Sequence, residues 1–221
     1  MVQVTPATSD WTGKWVACKL SAHDSVASTR VLSPQRVQVE RTKHPTVVIG
    51  TIASSPLRAD ELRPLVETER TVSFAVNVPK EAWIAGDALR LSERVRVPVG
   101  GWSDLQAALR LADVRDYVSS EFGFIDRVLR QHDTVAGFER LDDRRYRVSR
   151  HGAGDVMVVF LREYELTVDH VRTARERYGR FDILVITNPS GRATGSAEGV
   201  ATSMGGQVHK WKSFLGALNR P

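Results

Sequence analysis

Arginine residues crowd one short segment of this sequence. Between residues 140 and 150 there are five of them: Arg140, Arg144, Arg145, Arg147 and Arg150. A guanidinium group suits phosphate because it can donate two parallel hydrogen bonds to it. We therefore predict that this segment contacts the phosphate backbone of DNA or RNA, together with two lysines further along the chain. The predicted nucleic-acid-binding residues are Arg144, Arg145, Arg147, Arg150, Lys210 and Lys212.

The stretch RYRVSR, which holds three of these arginines, has the pattern of a β-strand. Because side chains alternate between the two faces of a strand, Tyr146 and Val148 are expected to face the core. Arg145 and Arg147 then share the opposite face. The same pattern is also typical of an ordinary solvated face whose charge is partly neutralised by acidic neighbours, and the sequence leaves both interpretations open.

A second cluster of polar residues follows the apolar stretch FDILVI. Ligands of α/β sheets gather at the carboxyl ends of strands, where helix N-termini present unpaired amides. The segment 188–194 is expected at such a place, and Arg192 adds a positive charge. The predicted anion-binding residues are Asn188, Ser190, Gly191, Arg192 and Thr194. In the alternative interpretation, Asn188 and Pro189 end the strand and Thr194 caps the next helix.

Signatures of metal sites and nucleophiles are scarce. The six histidines show neither HxH nor HExxH spacing, so the sequence gives no sign of a zinc site. Cys18 is the single cysteine, which excludes an intrachain disulfide and a CxxC site. Neither a GxxxxGK[ST] nor a GxGxxG segment is present. These patterns predict no cofactor and no metal site.

The composition is that of a globular protein with one large domain or two smaller ones. Of 221 residues, 42% are hydrophobic and 26% are charged. No run approaches the roughly 18–20 apolar residues of a membrane span, and no secretory signal is recognisable, so we predict a cytoplasmic protein without a membrane partner. The net charge of +5 suits nucleic acid, but 25 of the 31 basic residues are arginines spread along the chain. Charge alone therefore does not identify a partner.

The pattern of the chain predicts three segments. Residues 1–45 form an N-terminal arm or edge strands, with one strand at Val37–Val39. Residues 46–113 alternate β-branched strands with helices, which indicates a Rossmann-like α/β lobe with a mainly parallel sheet. Residues 114–221 begin with a helix from Val114 to His132, whose apolar residues recur at spacings of four, three and four.

Three strands joined by short turns follow this helix, and then a helix, a strand and a helix. The three strands are FERL, RYRVSR and DVMVVFL, and the later strand is FDILVITNP. This order resembles the core of the restriction-endonuclease-like, or PD-(D/E)xK, fold over roughly Val114–Leu218. The predicted fold class is therefore α/β, with the Rossmann-like lobe packed on an α-βββ-α-β-α unit.

The resemblance implies a metal-dependent nuclease centre. In that family an acidic residue on the second strand and an ExK or ExE pair on the third bind a divalent metal and activate water. This sequence departs from the pattern because RYRVSR contains no acidic residue. Asp155 and Glu163 are eight residues apart, about 26 Å on an extended strand, so they could not share one ion. We predict no standard metal centre, and Mg²⁺ would be the cofactor only if the nuclease interpretation held.

Three classes of function remain open. The first is a nucleic-acid-associated protein, for which the resemblance implies a role in defence against foreign DNA or in DNA processing. The second is a small-ligand sensor that holds a nucleotide or other anion in the α/β lobe or in the segment 188–194. The third is a non-catalytic interaction subunit that docks a protein partner through aromatic residues or an edge strand. No residue is assigned a catalytic role.

Overall fold

The computed structural model describes residues 11–67, 71–80 and 82–220. The first ten residues of the predicted N-terminal segment lie outside the described residues. The described chain is a mixed α/β protein with eight α-helices and two mixed five-stranded sheets, which confirms the predicted α/β class. It divides into two compact units, unit 1 (Met1–Ser119) and unit 2 (Ser120–Pro221). None of the described helices is both long enough and apolar enough to cross a membrane.

Unit 1 is built on a five-stranded sheet with helices between its strands. Its elements are α1 (Thr12–Leu20), β1 (Val26–Ser33), β2 (Arg36–Arg41), β3 (Val47–Ile52), α2 (Ala59–Val66), β4 (Val72–Asn77), α3 (Gly86–Val95), β5 (Val99–Gly100), α4 (Trp102–Ala108) and a 3-10 turn (Val114–Asp116). The strand order is β1-β2-β3-β4-β5. The pairings among β1, β2 and β3 are antiparallel, and those among β3, β4 and β5 are parallel.

The sheet of unit 1 is therefore mixed, whereas the sequence predicts a mainly parallel one. The difference arises from residues 26–41, which form an antiparallel hairpin and extend the sheet beyond β3. The predicted strand at Val37–Val39 is the centre of β2, where both valines are fully buried. β1 lies at the edge of the sheet.

The predicted helix from Val114 to His132 is interrupted in the structure. A 3-10 turn covers Val114–Asp116, and the helix of unit 2 starts only at Ser120. Tyr117 explains the break, since its hydroxyl donates to the Asp104 carboxylate at 2.5 Å and its ring contacts a core phenylalanine of unit 1. Val118, expected on the apolar face of that helix, is 70% exposed. The two units are divided after Ser119, whereas the predicted boundary follows residue 113.

Unit 2 contains a second five-stranded sheet. Its elements are α5 (Ser120–Gln131), β6 (Val135–Arg140), β7 (Arg145–Arg150), β8 (Ala153–Leu161), β9 (Glu165–Leu166), α6 (Val168–Tyr178), β10 (Ile183–Ile186), β11 (Arg192–Ala193), α7 (Gly195–Ser203), β12 (Gln207–Lys210) and α8 (Trp211–Leu218). The predicted order of a helix, three antiparallel strands, a helix, a strand and a helix is present. The sequence analysis does not predict β12, which adds a fifth strand.

The strands of this sheet follow the order β12-β10-β8-β7-β6. β6, β7 and β8 form an antiparallel meander, whereas β8, β10 and β12 are parallel. Alternate side chains, including the fully buried Tyr146 and Val148, form a core with α5 and α8, as the alternation in RYRVSR predicts. The connections through α6 and α7 join parallel strands, and the residues that these two helices bury do not belong to this core.

Aromatic rings fill the core beneath α5 and α8. Phe160 is fully buried and lies in stacked geometry with Trp211, with ring centroids 5.6 Å apart. Tyr146 and Phe214 meet Phe160 edge to face at 5.2 and 5.7 Å. Such pairs contribute about 0.5–1.5 kcal/mol each beyond their buried area, so Phe160 is a central packing residue of unit 2.

We expect Phe160→Ala to destabilise unit 2 by about 3–5 kcal/mol, because it removes a ring packed on all sides and leaves a cavity. Urea denaturation followed by tryptophan fluorescence measures the change. The control is Tyr164→Ala, since Tyr164 is 63% exposed and its removal is expected to cost under about 0.5 kcal/mol. Equal costs for the two variants would contradict this description of the core.

Candidate functional site

Three parallel strands of unit 2 end at the same level. Leu161 of β8 pairs with Ile186 of β10, which pairs in turn with Lys210 of β12. The next residue of each strand therefore stands beside its neighbours at the carboxyl edge of the sheet. These three residues are Arg162, Thr187 and Trp211. Because side chains alternate, they lie on the same face as the core that packs under α5 and α8.

A cavity of about 290 Å³ lies at this edge. Its lining residues are Ser120, Glu121, Phe124, Arg162, Thr187, Pro189 and Trp211. The first three belong to the start of α5, and the other four follow or begin elements at the carboxyl edge of the sheet. Small-molecule pockets span about 300–1,000 Å³, so this one is of a size for a single ring system and not for an extended cofactor.

One wall of the cavity is aromatic. The rings of Phe124 and Trp211 meet edge to face, with centroids 5.0 Å apart. Trp211 is also held by Phe160 and Phe214, so its ring is fixed from the core side. Phe124 is 45% exposed, an unusual position for a phenylalanine on a helix that has a core to pack against. The cavity thus has a rigid apolar wall that remains open to ligands.

A largely buried carboxylate forms the polar side of the cavity. Glu121 has a side chain only 13% exposed, and each of its oxygens has a partner. The Thr187 hydroxyl donates to one oxygen at 2.5 Å, and the Arg144 guanidinium lies 2.8 Å from the other. Burial opposes the charge of Arg144, but Glu121 and then Asp143 outweigh it, so the pKa of the Arg144 guanidinium is raised. The Arg144 guanidinium therefore stays charged at neutral pH.

Arg162 is the cation of the cavity. Its side chain is exposed and makes no hydrogen bond or ion pair with any part of the chain that the structure describes. Since an exposed guanidinium keeps its full donor set, Arg162 can bind an anion without giving up an internal contact. No sequence pattern marks Arg162 as a site residue, because it follows a strand as a single arginine among acidic residues.

The first two arginines of the predicted nucleic-acid site, Arg144 and Arg145, belong to the hairpin formed by β6 and β7 (residues 135–150), and both have internal partners. Arg144 forms an ion pair with Glu121. Arg145 lies 2.8 Å from the carboxylate of Asp142 and donates to the backbone carbonyl of Tyr178 at the end of α6. These two guanidinium groups therefore connect the hairpin to α5 and α6.

The remaining two hairpin arginines differ in exposure and partners. Arg147 has a side chain 49% exposed and lies 3.5 Å from Glu139 on the neighbouring strand. Arg150 donates to the carbonyl of Gly154 at 2.9 Å and to that of Arg220 at 2.5 Å. The four predicted arginines do not form one open surface, and Arg147 is the most exposed of them.

The two predicted lysines lie next to the cavity in the chain. Lys210 is the last residue of β12 and Lys212 lies in the first turn of α8, so they flank Trp211. Both side chains are exposed, and neither makes a hydrogen bond or ion pair with the described residues. They can therefore contribute positive charge around the cavity.

Four of the backbone amides of the predicted anion loop donate hydrogen bonds within the protein. Ser190 donates to the side-chain oxygen of Asn188 and Gly191 donates to its carbonyl, at 3.1 and 2.9 Å. The amides of Arg192 and Thr194 donate to carbonyls beside and within β9, both at 3.0 Å. The geometry of this loop is that of a turn followed by a short parallel strand pair, β9 with β11.

The side chains of the loop also have structural partners. Arg192 lies 2.9 Å from the carboxylate of Glu165. The Thr194 hydroxyl accepts a hydrogen bond from the Ala197 amide at 3.2 Å, which caps α7. A Cβ atom on Gly191 would lie 2.4 Å from a backbone oxygen, so close packing requires glycine at this position. Pro189 is the residue of this loop that lines the cavity.

The acidic residues of the resemblance lie at different places in unit 2. β8 runs without a break from Ala153 to Leu161, so Asp155 is near its start and Glu163 is beyond its end. Asp142 precedes β7 and pairs with Arg145. Among the described residues, no group of three or more His, Cys, Asp or Glu side chains is placed to hold a metal ion.

Most of the cavity residues were missed by sequence reasoning. β12 has the sequence QVHK, whose weak apolar pattern gives no signal for a strand, so Trp211 could not be assigned to the sheet edge. Phe124 lies in a predicted helix, but the apolar spacing of that helix assigns other residues to the buried face. Thr187 was the one residue with a local signal, since it follows an apolar strand where ligands of α/β sheets gather.

No protein-family model matches this chain, and no curated protein or solved structure matches it. The function is therefore inferred from the chemistry of the cavity and its surroundings. The cavity has a fixed aromatic wall, an exposed guanidinium and a largely buried, fully paired carboxylate, and two exposed lysines lie beside it.

We expect Arg144→Met to destabilise unit 2 by about 1–3 kcal/mol, because it leaves the largely buried Glu121 carboxylate without its counter-charge. Adding Glu121→Gln to that variant should restore most of the stability. Urea denaturation measures both. Arg147→Met is the control, since Arg147 and Glu139 are each about half exposed and such pairs contribute under about 1 kcal/mol. If the double variant is no more stable than Arg144→Met, the pair is not the buried contact described.

Proposed function

We propose that the protein binds nucleic acid at the carboxyl edge of the unit 2 sheet. The observation that supports this proposal best is the position of Arg162 beside the open aromatic wall of Phe124 and Trp211. Proteins that bind nucleic-acid strands combine basic groups for the backbone with aromatic rings for the bases. Lys210 and Lys212 extend the basic character on either side of Trp211.

The basic residues of this edge differ from the hairpin arginines in one respect. Arg162, Lys210 and Lys212 have no internal partner among the described residues, so phosphate would replace only water around them. Arg144 and Arg145 would have to leave buried carboxylates, and an uncompensated buried charge is costly. The proposed phosphate contacts are therefore Arg162, Lys210 and Lys212, and of the four hairpin arginines Arg147 has the most exposed side chain.

The element order of unit 2 adds support to the resemblance with restriction-endonuclease-like proteins. A helix, an antiparallel meander of three strands and a parallel fourth strand follow one another as in that core. Roles in defence against foreign DNA or in DNA processing remain what the resemblance implies. The separation of Asp155 from Glu163 does not favour the metal-dependent reaction of that family.

The binding test uses fluorescence anisotropy of labelled single-stranded and duplex oligonucleotides over a range of salt concentrations. We expect wild-type protein to bind with an affinity that falls as salt rises. Lys210→Ala with Lys212→Ala should flatten the slope of log affinity against log salt by about 1.4 on single strands, because each lost phosphate contact accounts for about 0.7.

The matched control is Lys14→Ala with Lys19→Ala, which removes two exposed lysines from α1 of unit 1 and should leave the slope unchanged. If the slope changes equally in both double variants, binding depends on the overall positive charge of the protein and not on Lys210 and Lys212. If Arg147→Ala also flattens the slope of log affinity against log salt, the β6–β7 hairpin contacts phosphate as well. The absence of salt-dependent binding by the wild-type protein would refute the proposed function.

We also expect the protein to leave plasmid and single-stranded DNA uncut in the presence of Mg²⁺ or Mn²⁺. The reason is that Asp155 lies near the start of β8 and Glu163 lies beyond its end, so that about 20 Å of extended strand, from Asp155 to Leu161, separates the two residues. Agarose gels of the incubated DNA provide the measurement. Cutting that depends on metal and disappears in Glu163→Ala would show that this carboxylate has partners other than Asp155.

A further inference from the structure

We infer that the unit 2 cavity receives one unpaired nucleobase, so that the protein prefers single-stranded to duplex nucleic acid. This inference rests on the proposed function and names the form of nucleic acid that the same site recognises. The structural basis is the juxtaposition of an open phenylalanine ring, a fixed tryptophan and an unengaged guanidinium in one small cavity.

The size of the cavity limits what can enter. Its volume of about 290 Å³ lies at the lower end of the range for small-molecule sites. One base can enter such a space, whereas a base pair or a stack of bases cannot. In a duplex, a base must first leave its stack and its pairing partner, which costs a few kcal/mol. An unpaired strand does not pay that cost.

The aromatic wall offers stacking without reorganisation. Trp211 is packed between Phe124 and the core residues Phe160 and Phe214, so its position does not depend on a ligand. Phe124 is the exposed ring of the group and the one available to a base. Stacking on an aromatic side chain is tolerant of base identity, because every base has a π-face.

The polar side chains of the cavity can form hydrogen bonds with the edge of a bound base. The Thr187 hydroxyl gives its hydrogen to Glu121 and Glu121 is also paired with Arg144, so both are held in place. Thr187 then presents a lone pair of its oxygen as an acceptor for a base N–H. Arg162, at the next strand end, is placed for the phosphate attached to the same nucleotide.

A free nucleotide has the same base and phosphate as one unit of a strand. The cavity chemistry is common to both, and the difference lies in the neighbouring phosphates. Lys210 and Lys212 flank Trp211 outside the cavity lining and can contact those phosphates only when the nucleotide belongs to a strand. The ligand of the cavity is therefore a nucleotide that belongs to a strand.

The test compares four probes by anisotropy or competition: a thymidine-containing single strand, the same strand with abasic sites, the corresponding duplex and thymidine monophosphate. Wild-type protein should bind the intact single strand about 5- to 140-fold more tightly than the abasic strand, from about 1–3 kcal/mol of stacking. The duplex should bind more weakly than the single strand, and thymidine monophosphate should compete only weakly.

The diagnostic variant is Phe124→Ala. It should lose the same 5- to 140-fold on the intact strand, while its affinity for the abasic strand and its salt slope stay at the wild-type values. Phe124→Trp, which keeps an aromatic face, should retain tight binding. Tyr164→Ala is the matched control, because it removes an exposed aromatic ring that does not line the cavity. Urea denaturation of each variant checks that unit 2 remains folded.

The outcomes separate this inference from the proposed function. If intact and abasic strands bind equally with a normal salt slope, or if Phe124→Ala has no effect, the base-binding inference is wrong and the proposed function stands. If duplex binds as tightly as single strand, the inference is also wrong. If thymidine monophosphate binds as tightly as the strand, the ligand is a free nucleotide and the strand is refuted. If no strand binds at any salt concentration, the proposed function itself fails.

Discussion

The common register of β8, β10 and β12 is the constraint on which the candidate site depends. Hydrogen bonds between the parallel strands hold Leu161, Ile186 and Lys210 at one level, so the residue after each lies at the same edge. A shift of one residue in any pairing would turn that strand's side chains to the other face. Thr187 and Trp211 would then no longer line a cavity with α5.

A largely buried ion pair closes the same edge of the sheet. Glu121 is brought to the sheet by α5, and its carboxylate is stable there because Arg144 and Thr187 supply a charge and a hydroxyl. This contact connects the β6–β7 hairpin and α5 with the end of β10. It also explains why an arginine-rich segment need not be a binding surface. In this chain two of its guanidinium groups compensate buried carboxylates.

The side chains at the carboxyl edge of unit 2 differ from those of a metal centre. A metal centre needs several oxygen ligands around one ion, whereas Asp155 and Glu163 are separated by most of β8 and Asp142 pairs with Arg145. What faces the cavity is an aromatic wall with a single arginine. Because fold and function are separable, the cavity chemistry is the better guide to the function.

The sequence by itself determined the α/β class, the position of most strands and the direction of side chains within them. RYRVSR coincides with β7, and its alternation correctly assigned Tyr146 and Val148 to the core. These features follow from a strand period that neighbouring residues define. Only the tertiary structure decided which residues meet at the cavity, because they come from four elements far apart in the chain. Their meeting depends on strand register and ion pairing, and neither leaves a periodic signal in the sequence.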